Sequence, residues 1–202
     1  MEHTKVVILD IDGVLNSSTD FFELKVLGHP INEGNKVINR GHLALLQHII
    51  EETDAKIVLS STWRLVFSLD EIHQMFADRG FTAGRTSFIG QTPNHKRGMS
   101  DHGYNHRGTE IKAYLNDNPT VDKFVILDDI NSEIENEGFI KADTSKFHDP
   151  TSGENFVHTS DNCGLKVHEM FRAIEILGRN DKAQKRQDEY DAAIDLLAGC
   201  LF

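Results

Sequence analysis

The chain has 202 residues, of which 39% are hydrophobic and 26% charged, which suits one ordinary globular domain with a small insertion or appendage and allows a sizeable core. Its formal net charge of -11 argues against broad nonspecific attraction to nucleic acid or anionic membrane, and leaves room for a local basic pocket. No run approaches the roughly 18 apolar residues of a membrane span, and the first residues lack the basic-then-apolar pattern of a signal peptide, so a cytoplasmic protein without a membrane partner is expected.

The first element is an apolar, β-branched run, Val6-Val7-Ile8-Leu9, as expected of a strand buried on both faces of a parallel sheet. It ends in Asp10-Ile11-Asp12-Gly13. Period-two alternation puts both carboxylates on one side of an extended backbone, where they repel unless something compensates. A hard divalent cation such as Mg2+ does so with oxygen ligands. Gly13 lets the chain turn sharply and brings backbone N–H groups close to a bound anion. Two other readings compete for the tetrapeptide alone: a plain strand-end turn, and a calcium loop. An EF-hand places its glycine sixth, and here it comes fourth.

Asn16 to Arg40 is mixed and polar, interrupted by Gly28, Pro30 and Gly34, and is expected to form a small flap over the strand ends. Leu43, Leu46, Ile49 and Ile50 have helical spacing up to Glu52. Ala55 to Leu59 is a second apolar strand running into Ser60-Ser61-Thr62-Trp63-Arg64. Ser68 with Glu71 forms a capping box for a helix through Ile72, Met75 and Phe76 that Gly80 would end.

Residues 81–106 lose periodicity apart from a short strand near Ser87 to Ile89. The run holding His95, Lys96, Arg97, His102 and His106 reads as a surface loop whose histidines are solvated, because their spacing matches no helical ligand pair. A donor-rich loop beside a phosphate site could still help select substrate. Cys163 and Cys200 have no metal-like spacing and read as ordinary thiols.

Thr109 to Leu115 suits a helix following Arg107-Gly108, with Pro119 beyond its end. Lys123 to Leu127 is a third buried-type strand, ending in Asp128-Asp129. Asn155 to His158 is a weaker strand, Leu165 to Leu177 a helix, and Asn180-Asp181 starts a last helix with a stripe through Tyr190, Ile194, Leu197, Ala198 and Leu201. The alternation predicts an α/β fold, a doubly wound Rossmann-like parallel sheet with helices on both faces. In such sheets ligands bind outside the carboxyl ends of the strands. Asp10/Asp12, Ser60/Ser61 and Asp128/Asp129 should therefore meet at one edge, joined by Arg107 at a helix start. Carboxylates for a metal, hydroxyl donors and a cation together describe a phosphoryl-transfer site.

These motifs resemble those of the haloacid dehalogenase (HAD) superfamily of Asp-nucleophile phosphohydrolases across about residues 5–178. Asp10-Ile11-Asp12-Gly13-Val14 matches the first motif. Ser60 matches the second, with Ser61 one register away. Arg107 stands where the third usually has lysine, with Lys112 as the alternative, and Asp128-Asp129 matches the fourth. Val-Leu-Ser-Ser-Thr-Trp-Arg and Arg-Gly-Thr-Glu-Ile also resemble a small-capped subgroup related to RNA-repair-associated HAD domains.

The resemblance implies a catalytic domain over residues 1–180 with minimal cap elements at about 16–40 and 90–106. The apolar stripe of the last helix, over 181–202, either packs on that domain or pairs with another chain, and packing is expected because such a stripe is usually core. The resemblance also implies Asp10 as nucleophile forming an aspartyl-phosphate and Asp12 as general acid and base. Mg2+ would be held by Asp10, the backbone carbonyl of Asp12 and the Asp128/Asp129 pair. Ser60, with Gly13 and Ser61, would meet the phosphoryl oxygens, and Arg107 would stabilise their charge. The implied partner is a phosphorylated small molecule, nucleotide or nucleic-acid end. Asp12 favours phosphoryl over carbon–halogen chemistry. A phospho-receiver domain would carry its Asp on the third strand, and a noncatalytic HAD-fold binding module would not need both Asp10 and Asp12.

Overall fold

The computed structural model describes residues 4–28, 37–94, 107–130, 134, 138–141 and 154–199. The histidine-containing loop, with His95, Lys96, Arg97, His102 and His106, lies outside them, as do Pro30 and Gly34 of the flap segment.

The sheet is built from β1 (Thr4–Leu9), β2 (Lys56–Leu59), β3 (Phe88–Gln91), β4 (Val121–Asp128), β5 (Ile140–Lys141) and β6 (Glu154–His158). All pair in parallel, in the order β3-β2-β1-β4-β6-β5. The chain proceeds from β1 outward through β2 to β3, then returns to β4 on the other side of β1. The order thus reverses at β1. Its residues Val6 to Leu9 are fully buried, each stabilising the fold by about 1.5–3 kcal/mol relative to exposure.

Alternation splits the strand between two cores, which is the expected α/β layering. Val7 and Leu9 face one core with Leu43, Leu46 and Ile49 of α2 (Arg40–Thr53), Ile72 and Phe76 of α3 (Leu69–Ala77), and Met170 and Ile174 of a helix over Val167–Leu177. Val6 and Ile8 face the other, with Ile111 of α4 (Arg107–Asp117) and Phe139. Helices therefore cover both faces.

Local chemistry sets the helix ends. The Asn39 side chain accepts from Gly41 N–H and starts α2, and the Ser68–Glu71 capping box starts α3 as its spacing predicts. Phe76 of α3 meets Phe81 and Phe88 edge to face, at centroid separations of 5.7 and 5.5 Å. The Val167–Leu177 helix, α5, ends at Gly178 with φ +72°.

The flap segment holds a nine-residue helix, α1 (Ser18–Val26), none of whose residues is buried. Its start hangs on the loop after β6, where Ser18 N–H donates to Asp161 O at 2.8 Å and Thr19 Oγ1 to Asn162 O at 2.6 Å. The last helix, α6 (Asp181–Gly199), begins against α2: Asn180 N–H donates to Glu52 O at 2.8 Å, Ala183 is buried, and Arg186 is ion-paired with Glu52. Further along, Tyr190 and Ile194 of the expected stripe are exposed, and Leu201 lies outside the described residues. Among the described residues no helix is long and apolar enough to cross a membrane.

Candidate active site

Register brings the motifs together. Leu9 pairs with Leu59 on one side and Leu127 on the other, so Asp10, Ser60 and Asp128 follow abreast at the carboxyl end of three neighbouring strands. Ladder bonds continue past the strands, from Ser60 N–H to Leu9 O at 2.7 Å and from Asp10 N–H to Leu127 O at 3.0 Å. The edge is the switch point beside β1, where open α/β sheets bind ligands.

The centre of the site is a buried guanidinium between two buried carboxylates. Arg107, in the first turn of α4, donates from Nη1 to Asp10 Oδ2 and to Asp128 Oδ2, the latter at 2.7 Å. Asp10 Oδ1 also accepts from Ile11 N–H at 2.7 Å, and Asp128 Oδ1 from Ile130 N–H at 2.9 Å. Burial opposes the charge on Arg107, but Asp128 and Asp10 outweigh it and hold the guanidinium protonated. One cation cannot compensate both anions. Burial and repulsion from Asp10 push the Asp128 carboxyl well above the usual range despite Arg107, and burial with repulsion from Asp10 raises Asp129 to about 6.

Oxygens of Asp10, Asp128 and Asp129 lie within 4.8 Å of one another. With all three ionised beside a single arginine, two negative charges stay uncompensated, which an all-oxygen donor set matches to one hard divalent cation. These residues fit Mg2+. Gly13 closes the same corner: its φ is +75°, and a Cβ there would fall 2.4 Å from Asp129 Cγ. Only glycine leaves room for that carboxylate.

Asp12, on the turn after β1, is exposed and is not one of the three clustered carboxylates. Its Oδ1 accepts from Asn16 Nδ2 and its Oδ2 from Trp63 Nε1, both at 2.9 Å. The two serines divide. Ser60, fully buried, has Thr92 Oγ1 3.5 Å from its Oγ, whereas the Ser61 side chain caps a short 3-10 turn (Thr62–Leu65) by accepting from Trp63 N–H. The alternatives for the third motif also separate, because Lys112 is exposed on α4 while Arg107 is buried in the cluster.

Several neighbours carry no role in the sequence reading. Arg64 donates from Nη2 to Glu110 Oε2 at 2.5 Å and from Nη1 to Ser61 O at 2.7 Å, tying the turn after β2 to α4. Thr159, after β6, donates from Oγ1 to Gly13 O at 2.8 Å. A polar residue directly following an apolar strand is the signal that could have found Thr159, as it found Ser60; Arg64 lies five residues beyond β2 and carries no such signal.

A model of the family described as HAD domains in Swiss Army Knife RNA repair proteins matches residues 6–170, which take in all four motifs. No curated protein and no solved structure matches the chain. With that match extending over most of its length and the acidic cluster at the expected sheet edge, the chain belongs to the HAD domains of the Swiss Army Knife RNA repair type.

Proposed function

We propose that the chain is a Mg2+-dependent phosphatase that hydrolyses a phosphomonoester through an aspartyl-phosphate on Asp10. The observation that carries this reading is the carboxylate of Asp10 held at a sheet switch point by buried Arg107, with Asp12 two residues on and free of the cluster.

The Asp10 carboxylate attacks phosphorus and forms an acyl phosphate as the ester P–O bond breaks; the leaving oxygen takes the proton of Asp12. Asp12 then removes a proton from water, whose oxygen attacks phosphorus. The bond from phosphorus to the Asp10 oxygen breaks, inorganic phosphate leaves, and both aspartates return to their starting states. Arg107 aims Asp10 through its Nη1 contact with Asp10 Oδ2, Ser60 donates to a phosphoryl oxygen, and the backbone at Gly13 approaches the phosphate. Asp10, Asp128, Asp129 and the backbone carbonyl of Asp12 would hold Mg2+, which when bound offsets repulsion between nucleophile and phosphate.

The family's description speaks of RNA repair, which points to the phosphorylated end of an RNA as substrate. A net charge of -11 fits recognition of a single terminal phosphate better than of a long backbone track. The test is a phosphatase assay with Mg2+ on p-nitrophenyl phosphate, nucleotides and oligoribonucleotides bearing 5′- or 3′-phosphates. Asp10→Asn is expected to lose at least about a thousandfold in turnover, and chelation of Mg2+ to abolish it. Arg107→Ala should fall far below Lys112→Ala. Asp10→Asn matching wild type would sink the nucleophile assignment, and no wild-type turnover on any substrate would favour a noncatalytic binding module.

A further inference from the structure

We propose that Trp63, together with Asn16, is a positioning residue that fixes the carboxylate of Asp12 for proton transfer. The inference rests on the acid–base role of Asp12 proposed above.

Proton transfer needs the donor and acceptor atoms within about 2.6–3.2 Å in the reacting pose. Asp12 is exposed, and an exposed carboxylate on a turn ordinarily samples several rotamers. Here each oxygen is held by an N–H from a different part of the chain. Asn16 is buried, and its amide is oriented from both sides: Oδ1 accepts from Gly13 N–H at 3.1 Å, while Nδ2 donates to Val37 O at 3.1 Å and to Asp12 Oδ1 at 2.9 Å.

Trp63 holds the other oxygen from a rigid base. Its ring is 1% exposed and lies 5.9 Å from that of Phe67, and the turn that carries it is tied down on both sides, by the Ser61 cap and by Arg64 to Ser61 O and Glu110. The indole Nε1 therefore has little freedom, and it donates to Asp12 Oδ2 at 2.9 Å. A carboxylate has about four lone-pair sites, so these two bonds leave one on each oxygen for the proton in transit. Core packing explains why the indole ring is buried. It does not explain why its one N–H reaches the acid–base carboxylate, since any backbone carbonyl would satisfy a buried indole.

Trp63 is the sole tryptophan of the chain, so its donor can be removed without changing its shape, by replacing tryptophan with benzothienylalanine, in which sulfur stands for the N–H. Trp63→Phe is the genetic counterpart. Each form is assayed with Mg2+ on phenyl phosphate, whose leaving oxygen needs a proton, and on p-nitrophenyl phosphate, whose leaving group departs without one.

The expected result is a loss in kcat/KM of about tenfold or more on phenyl phosphate and under about threefold on p-nitrophenyl phosphate, part of the 10²–10⁴-fold that general acid catalysis supplies. Equal losses on both substrates, or none on either, would overturn the positioning role and leave the phosphatase reading standing. No turnover by wild type on these esters or on the oligoribonucleotide ends, or an Asp10→Asn form as active as wild type, would overturn the phosphatase reading and the positioning role with it.

Discussion

Arg107 supplies one positive charge to a corner that holds three carboxylates, and the shortfall sets how the metal-free protein responds to pH. The folded pKa of Asp129 is about 6, raised by burial and by Asp10, against about 3.9 for an unfolded aspartate. The folded state therefore keeps a proton that the unfolded chain releases between those values. The resulting stability is fully present below about pH 4 and is lost as pH rises through about 6. The buried Asp128 shifts in the same direction. For Asp129 the loss amounts to about 2 kcal/mol after allowing for its partial exposure. Protein in chelator should thus melt lower at pH 7.5 than at pH 5, Asp129→Asn should flatten that difference, and Mg2+ should raise the melting point most at the higher pH. A wild-type profile in chelator as flat as that of Asp129→Asn would contradict this account. The ionisable groups of this corner were legible in the sequence because carboxylates and an arginine at element ends have few structural uses. Trp63 was not: a lone aromatic after a strand reads as core, and its bond to Asp12 bridges 51 residues.

At the scale of elements, the ion pair between Arg64 and Glu110 joins the turn after β2 to α4, one turn beyond Arg107. Both side chains are largely buried, so removing one charge takes from the other an ionic partner in a poorly solvated place. Arg64→Met is expected to cost about 3–5 kcal/mol in urea denaturation, and Arg64→Met with Glu110→Met to recover most of it. A double variant no more stable than the single one would show that the pair is not the anchor. Elements with their own signals were legible: the capping box of α3, the stripe of α2 and the apolar runs of β1, β2 and β4. Helix α1 was not, because Phe22 and Val26, like Leu27 just past its end, are exposed to solvent and write no core-facing stripe. Nor was β5, two residues long and defined by its pairing with β6. The stripe of α6 misled in the opposite sense, since Tyr190 and Ile194 have the spacing of a packed face and stay exposed.

Across the whole molecule, strand order is the least legible feature, because apolar runs announce strands without naming their neighbours. The order places β1 between β2 and β4, and that placement alone brings Asp10 beside both Ser60 and Asp128. It also imposes a sequence of events on a chain made from its N-terminus. Until residues 121–128 exist, β1 has an open edge of unsatisfied N–H and C=O groups along its most apolar stretch. A fragment ending at residue 94 is expected to stay unfolded or to associate through that edge, seen by circular dichroism and size-exclusion chromatography. A monomeric fragment with a cooperative melt would refute this. Arg107 follows Asp10 by 97 residues, so that aspartate is synthesised long before the cation that pairs with it. The acidic corner thus forms only once both halves of the sheet have closed on β1, and a partly made chain carries Asp10 without its arginine.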